Sequence, residues 1–316
     1  MSKWMVSAKK ADFNKIAQRF GIDPVIARII RNRDIIGEEQ IERFVHGTLQ
    51  DLHDPEALKD AGKAADILCE KTRAGLPVRV IGDYDIDGVC STYILVSCLE
   101  RCGAVVDAVI PHRIQDGYGL NDRLIEEAHE AGIDTVLTCD NGIAAAGQIA
   151  YAKELGMTVV VTDHHEVPYD QGEDGSRIEH PPAADAVVDP KQSDCPYPYK
   201  GICGAVVAYK LMQIYLMQMA HQSADKALLG DMEEILQELL AFAAFATVGD
   251  VMELTDENRI IVKYGLRQIE RSHNHGLRAL TVVNDLQDKP LSVYHIGFVL
   301  GPCLNATGRL DTASRA

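Results

Sequence analysis

No C-x-x-C pair occurs in the sequence, although it carries eight cysteines (Cys69, Cys90, Cys98, Cys102, Cys139, Cys195, Cys203 and Cys303). That sets aside a zinc ribbon or a disulfide framework. Cysteines inside apolar runs read instead as small hydrophobes, as expected in a reducing compartment. No apolar stretch approaches the ~18 uninterrupted residues of a membrane span. The N-terminal stretch Met1 to Ser7 lacks an apolar signal core, so the cytoplasm is the expected location. There is no internal repeat and no low-complexity segment. Basic residues are in short supply: 31 Lys and Arg stand against 47 Asp and Glu, a formal net charge of −16. This balance argues against a general nucleic-acid coat, because neutralising phosphates needs Lys and Arg. It leaves room for a nuclease, whose acids are partly neutralised by metal and whose few basic residues line one groove.

What is present is an ordinary globular composition, 47% hydrophobic and 25% charged over 316 residues. The length suffices for one large domain or two smaller ones. Residues 1–60 read as a helical packing segment. Asp23-Pro24 followed by Val25, Ile26, Ile29 and Ile30 supplies an N-cap, a proline at the first helical position and an apolar stripe. A second short helix is expected over 38–44. From residue 60 onward helix and strand alternate. Helices over 61–74, 91–102, 121–131 and 143–155 each end near a glycine, as left-handed caps require. They lead into strands over 78–82, 105–110, 135–139 and 157–162. This rhythm predicts an α/β fold with a mainly parallel sheet flanked by helices, and with helical N-terminal and C-terminal segments. Residues 167–184, rich in proline and glycine, read as a surface loop. A strand over 186–188 follows, then long apolar helices over 203–220 and 231–248 and a helical stretch over 256–285. The division expected is a helical segment 1–60, a catalytic domain 61–255 and a connector 256–316.

Acids crowd the strand ends. The run Val78-Arg79-Val80-Ile81 is followed by Asp83, Asp85 and Asp87 at alternate positions and then Gly88. Three carboxylates within five residues repel one another unless a cation offsets them. The edge where strands emerge is also where open α/β sheets bind ligands. Asp140-Asn141-Gly142 closes the strand over 135–139, and Asp163-His164-His165 closes that over 157–162. An aspartate behind two histidines can orient one imidazole. Asp250 follows a nearly all-apolar helix that Gly249 is expected to stop, and there it faces the negative end of the helix dipole.

These motifs, in this order, resemble the DHH phosphoesterase superfamily, and within it the single-strand exonucleases of the RecJ type. Further matching segments are His112-Arg113 through Gly117-Tyr118-Gly119-Leu120, Cys195-Pro196-Tyr197-Pro198-Tyr199-Lys200, and Gly301-Pro302-Cys303-Leu304-Asn305-Ala306-Thr307-Gly308-Arg309-Leu310. The resemblance implies metal ligands at Asp85, Asp87, Asp140, His164 and Asp250, with Asp140 bridging two ions. His165 would lie beside the scissile phosphate as a catalytic group. Asp83 and Asp163 would support the ligands, Asp83 being near enough to approach the metal. Substrate contacts are implied at Asn305 and Arg309, with Arg113, Tyr118 and Lys200 as further candidates. The implied cofactor is a pair of Mn²⁺ or Mg²⁺ ions, in keeping with a carboxylate-rich ligand set. The implied substrate is single-stranded DNA digested 5′ to 3′ in repair or recombination. A single-strand-binding protein or a helicase would be its partner, and no membrane is involved.

Cys303 departs from the basic residue common at its position. Alternatives within the superfamily are a short-oligonucleotide or cyclic-dinucleotide phosphodiesterase, a pyrophosphatase, and a non-catalytic replication scaffold. The first two usually place a histidine where Ile81 stands, and a scaffold need not fill every ligand position. No closing domain is legible after the last motif, so the expectation is the N-terminal portion of a longer protein.

Overall fold

The first four strands of the parallel sheet are four or five residues long, and each follows a helix that ends at a left-handed glycine. The computed structural model describes residues 9–112, 119–222, 226–287 and 289–310. Three short helices open it: α1 (Phe13–Phe20), α2 (Pro24–Asn32) and α3 (Glu38–His46). The Asp23 side chain caps α2 as its sequence suggests, and α1, capped by Asp12, had no counterpart in the sequence reading. These helices share a small apolar cluster of Phe20, Ile30, Ile35, Ile41 and Phe44.

The central unit runs α4 (Ala61–Ala74), β1 (Val78–Ile81), α5 (Ile86–Arg101), β2 (Val106–Val109), α6 (Asp122–Glu130), β3 (Thr135–Cys139), α7 (Ala146–Glu154) and β4 (Thr158–Thr162). It continues through β5 (Tyr169–Gln171), β6 (Arg177–Glu179) and β7 (Ala186–Val188). Gly75, Gly103, Gly132 and Gly156 all adopt positive φ at the helix ends, as expected. The main sheet has the order β2-β1-β3-β4-β7, and every pair in it is parallel. Side chains alternate along each strand. Val78, Val80, Leu137, Cys139 and Val160 face the layer that contains α4 and α5. Ile81, Val136, Val159 and Val161 face α6 and α7. Both faces are therefore covered, which is the usual setting of a parallel sheet.

Three of the expected boundaries need correction. The segment 167–184 is not wholly a loop: β5 and β6 pair as an antiparallel hairpin outside the main sheet. Helix α5 begins at Ile86 rather than near 91, because Asp85 caps it by accepting the Gly88 amide at 3.0 Å. The stretch 256–285 is two helices, since Asn274 caps a new one.

A second helical layer covers α5. It comprises α8 (Gly204–Gln222), α9 (Lys226–Gly249), α10 (Asp256–Arg271) and α11 (His275–Val283). After it come α12 (Val293–His295), a π-helical turn at Ile296–Leu300, and α13 (Gly301–Leu310). Gly265 lets α10 lie directly on α9, for a Cβ there would meet Ala244 Cβ at 2.2 Å. Gly249 does not stop α9 by its backbone conformation. It is the last helical residue, and a Cβ there would meet Ile86 Cγ2 at 2.4 Å. The left-handed residue is Val251. Among the described residues, no helix is long and apolar enough to cross a membrane.

Candidate metal centre

Strand β1 is followed by β2 on one side, while β3, β4 and β7 build outward on the other. The carboxyl ends of β1 and β3 therefore border the point where the winding reverses, the place where open α/β sheets bind ligands. Asp83, Asp85 and Asp87 issue from β1, Asp140 from β3, and His164 and His165 from β4. Asp250 arrives from the end of α9, brought in by the close approach of Gly249 to Ile86.

Among the described residues, three groups of side chains have ligand atoms all within 4.8 Å of one another: Asp83, Asp85 and Asp140; Asp87, His164 and Asp250; and Asp140, His164 and His165. Asp140 belongs to two of them and His164 to two. His164 Nε2 lies 3.1 Å from Asp140 Oδ1, 3.4 Å from Asp87 Oδ2 and 3.9 Å from Asp250 Oδ2. The first group includes Asp83, which the family pattern had placed mainly behind the ligands.

The acids are held at a cost. Burial, then the nearby Asp85, pushes Asp83 up to about 7. Neither of its oxygens makes a full hydrogen bond, although the Tyr84 and Gly119 amides partly offset the rise. Burial followed by Asp87 and Asp85 raises Asp250 to about 7. Asp140 is raised well above the carboxylate range by burial and by four neighbouring aspartates. Its backbone is left-handed, with φ of 59°, a conformation that aspartate tolerates better than most residues.

Asp163 is handled differently. Burial opposes its charge, but the His165 ring and backbone amides outweigh that and hold its carboxyl low. Its oxygens accept from the amides of Ile143, His164 and His165, and from His165 Nδ1 at 2.7 Å. The same bond raises the His165 pKa, while burial lowers that of His164. His164 is thus kept neutral, the form that binds metal, and half-exposed His165 is oriented and more basic.

Asp87 sits on the N-terminus of α8. The Gly204 amide donates to its Oδ2 at 2.7 Å and the Ala205 amide to its Oδ1 at 2.8 Å. Burial still raises its pKa, ahead of every other influence, but the positive end of α8 favours the charged form. Gly204 is required by proximity: a Cβ there would lie 2.9 Å from both Cβ and Oδ1 of Asp140.

The segment 195–200 explains how Gly204 reaches the site. Tyr197 donates to Glu257 at 2.5 Å, and Glu257 pairs with Lys210 at 3.0 Å, both charges being fully buried. Tyr199 bonds Thr255, and Asn258 donates to the Gly201 carbonyl. Lys200, a candidate substrate contact, turns back to donate to the Cys195 carbonyl. Asn305 accepts the Ile86 amide at 3.1 Å and so fastens α13 to the start of α5. Arg113 and Tyr118 lie outside the described residues, as does the side chain of Arg309.

Sequence reasoning missed Asp189. It is fully buried at the end of β7, one oxygen accepting the Lys191 amide at 2.7 Å, and burial pushes it up to about 8. The signal was available, since Asp189-Pro190 follows a short apolar strand just as the other acids do. The Gly204 and Ala205 amides had no signal beyond the glycine itself.

Residues 77–246, just over half of the chain, match the model of the DHH family N-terminal domain. Over 315 residues the chain is 34% identical to the single-stranded-DNA-specific exonuclease RecJ of Bacillus subtilis (strain 168), covering 99% of this chain and 37% of that protein. Over 298 residues it is 34% identical to RecJ of Escherichia coli (strain K12), covering 93% of this chain and 48% of the other. The chain thus spans less than half the length of these relatives. Among solved structures, exonuclease RecJ bound to manganese aligns with a TM-score of 0.67 at 32% identity, over 82% of this chain and 60% of that one. RecJ from Thermus thermophilus in complex with Mn²⁺ aligns with a TM-score of 0.73 at 29% identity, over 96% of this chain and 40% of its own. Ordered motifs at the sheet edge, the parallel doubly covered fold and the family match agree, and the chain belongs to the DHH family.

Proposed function

We propose that this chain carries the catalytic core of a metal-dependent phosphodiesterase that degrades single-stranded DNA from its 5′ end. The observation that carries the proposal is the sharing of Asp140 between an Asp83–Asp85 group and a His164 group, since one bridging carboxylate between two ligand sets suits a pair of cations. Asp85 and Asp140, with Asp83 alongside, would hold one ion, and Asp87, Asp140, His164 and Asp250 the other. The donors fit: they are mostly hard carboxylates with one neutral imidazole, which favours Mn²⁺ or Mg²⁺. Asp83, buried without a full hydrogen bond, is the kind of orphan that a cation satisfies. Bound there, two divalent ions supply charge neutralisation, polarisation of phosphoryl oxygens and acidification of the attacking water.

The chain's own residues divide the remaining work. The Asp163 carboxylate orients the half-exposed His165 ring through Nδ1, and from there the imidazole can stabilise or protonate a phosphate oxygen. The α8 amides hold Asp87 in place and oppose the effect of burial on its charge. Asn305 locks the start of α5, which carries Asp87. Ile81, at the position where short-oligonucleotide relatives place histidine, is fully buried in the apolar layer facing α6 and α7, and this supports the longer-substrate reading. Residues 61–255 would form the catalytic unit, with 1–60 a packing segment and 256–316 a connector. Eight free thiols suit a reducing cytoplasm, where a helicase or a single-strand-binding protein would present the strand.

Calorimetry with Mn²⁺ tests the assignment, alongside digestion of end-labelled single-stranded DNA, a dinucleotide and pyrophosphate. The expected results are two bound ions and release of mononucleotides from DNA with a free 5′ end. Asp140→Ala is expected to abolish metal binding and hydrolysis together, and retained turnover in that variant would overturn the mechanism.

A further inference from the structure

We propose that Lys191, on the loop after β7, is a substrate contact that holds a phosphate oxygen of the bound strand on the His165 side of the site. The inference rests on the reading of the site as a phosphodiesterase and adds a residue outside its four motifs.

Placement comes first. β7 lies beside β4 in parallel register, and the Asp163 amide donates to the Val188 carbonyl at 3.0 Å. The loop that leaves β7 therefore emerges next to Asp163-His164-His165. That loop is anchored below Lys191. The Lys191 amide donates to the buried carboxylate of Asp189, and buried Gln192 donates to the carbonyls of Val187 and Asp189. Lys59 in turn donates to Gln192. A side chain on so fixed a loop is delivered to one place, which is what a substrate contact needs.

Charge comes second. The Lys191 ammonium lies 3.4 Å from Glu166, the residue after His165, and Glu166 is two-thirds exposed. This is a loose surface pair, and a phosphate, carrying more charge-assisted acceptors, can displace it. Among the described residues the rest of the site is carboxylates and the two histidines, and an ammonium on an anchored loop beside His165 supplies attraction for a polyanion. On the far side of Glu166, Arg177 makes a 3.1 Å bond to the same carboxylate and lies over the Tyr169 ring at 4.1 Å. Its two partners, Glu166 and Glu179, leave it less available than Lys191.

The test is fluorescence anisotropy of a phosphorothioate-linked oligothymidylate, which resists cleavage, titrated with Mn²⁺-loaded chain over a series of salt concentrations. Lys191→Ala is expected to weaken binding about tenfold, the lower end for a charge-assisted contact. It is also expected to reduce the salt slope by about one counterion. Lys191→Arg restores both, and Mn²⁺ affinity by calorimetry and the melting curve stay unchanged in either variant. Equal affinity and slope in wild type and Lys191→Ala would overturn the assignment of Lys191 alone. Loss of Mn²⁺ binding in Lys191→Ala would overturn it too, by showing a structural role. A wild-type chain that binds Mn²⁺ but no oligonucleotide would sink the phosphodiesterase reading itself, and this inference with it.

Discussion

Glu257 and Asp140 are equally buried acids in opposite surroundings. Glu257, at the start of α10, meets the Lys210 ammonium and the Tyr197 hydroxyl, and no water is needed to balance its charge. Asp140, at the end of β3, meets Asp87, Asp85, Asp163 and Asp83, each of which raises its pKa after burial has already done so. A buried charge left without compensation costs several kcal/mol. The helical layer thus balances its internal acid with a buried ammonium, whereas carboxylates outnumber the basic groups at the strand ends, where His164 stands beside Asp140 and His165 beside Asp163. Under the proposed function, two divalent cations would supply the positive charge that this crowding of carboxylates calls for.

Removing the partner in the paired region is expected to have the largest effect on stability. Glu257→Ala strands the Lys210 ammonium in the core and should cost about 3–5 kcal/mol. Denaturant melts measure this, and the loss should be the same with and without Mn²⁺. If metal restored the lost stability, the two regions would not be independent.

The strand-end region should instead respond to pH, and only without metal. Burial first, and neighbouring acids second, raise Asp83 and Asp250 to about 7. Between the ordinary carboxylate pKa and those values the folded state keeps protons that the unfolded chain has released. Stability is thus greatest below about pH 4 for these groups and falls as pH rises toward 7. His165, raised chiefly by its bond to Asp163, adds to the fall above its own usual pKa. Asp163, held low, acts oppositely and matters only in stronger acid. Chelator-treated protein should lose about 2–4 kcal/mol between about pH 5 and pH 8, and Mn²⁺ should remove the dependence. Equal stability at the two values in the absence of metal would break the comparison.

The smallest effect on stability is expected where the two regions meet. Gly204→Ala puts a Cβ 2.9 Å from Asp140, at the end of the loop that Tyr197 and Glu257 anchor. The backbone there is compatible with alanine, so about 1 kcal/mol of overpacking is expected. Displacement of Asp140, the carboxylate proposed to bridge the ions, should meanwhile weaken Mn²⁺ binding by about tenfold or more, the range of changes just outside a ligand shell. Calorimetry against thermal melting separates the two, and a variant that lost stability but kept metal affinity would place Gly204 in the paired region alone.

Much of the centre was legible without coordinates. An Asp or His at the end of a short apolar strand is a local pattern, and Asp83, Asp85, Asp87, Asp140, His164 and His165 all announced themselves by it. Asp189 obeys the same pattern at the end of the three-residue β7. The glycine caps of α4 to α7 were equally local and were read within a residue or two. Lys200 and Asn305 show the limit. Both stand in recognisable motifs, yet Lys200 closes its own loop and Asn305 caps α5 from more than two hundred residues away.

The sequence by itself determined the parallel sheet, because strand length, apolar periodicity and glycine stops are set by neighbouring residues. It also determined which edge is acidic, because each acid follows its strand directly. Only the tertiary structure decided how those acids group. Which carboxylate is shared, which is satisfied by amides and which is left unpaired depends on strand order and on the approach of α8 and α9. Those are contacts between segments far apart in the chain, and no local pattern encodes the distance between them.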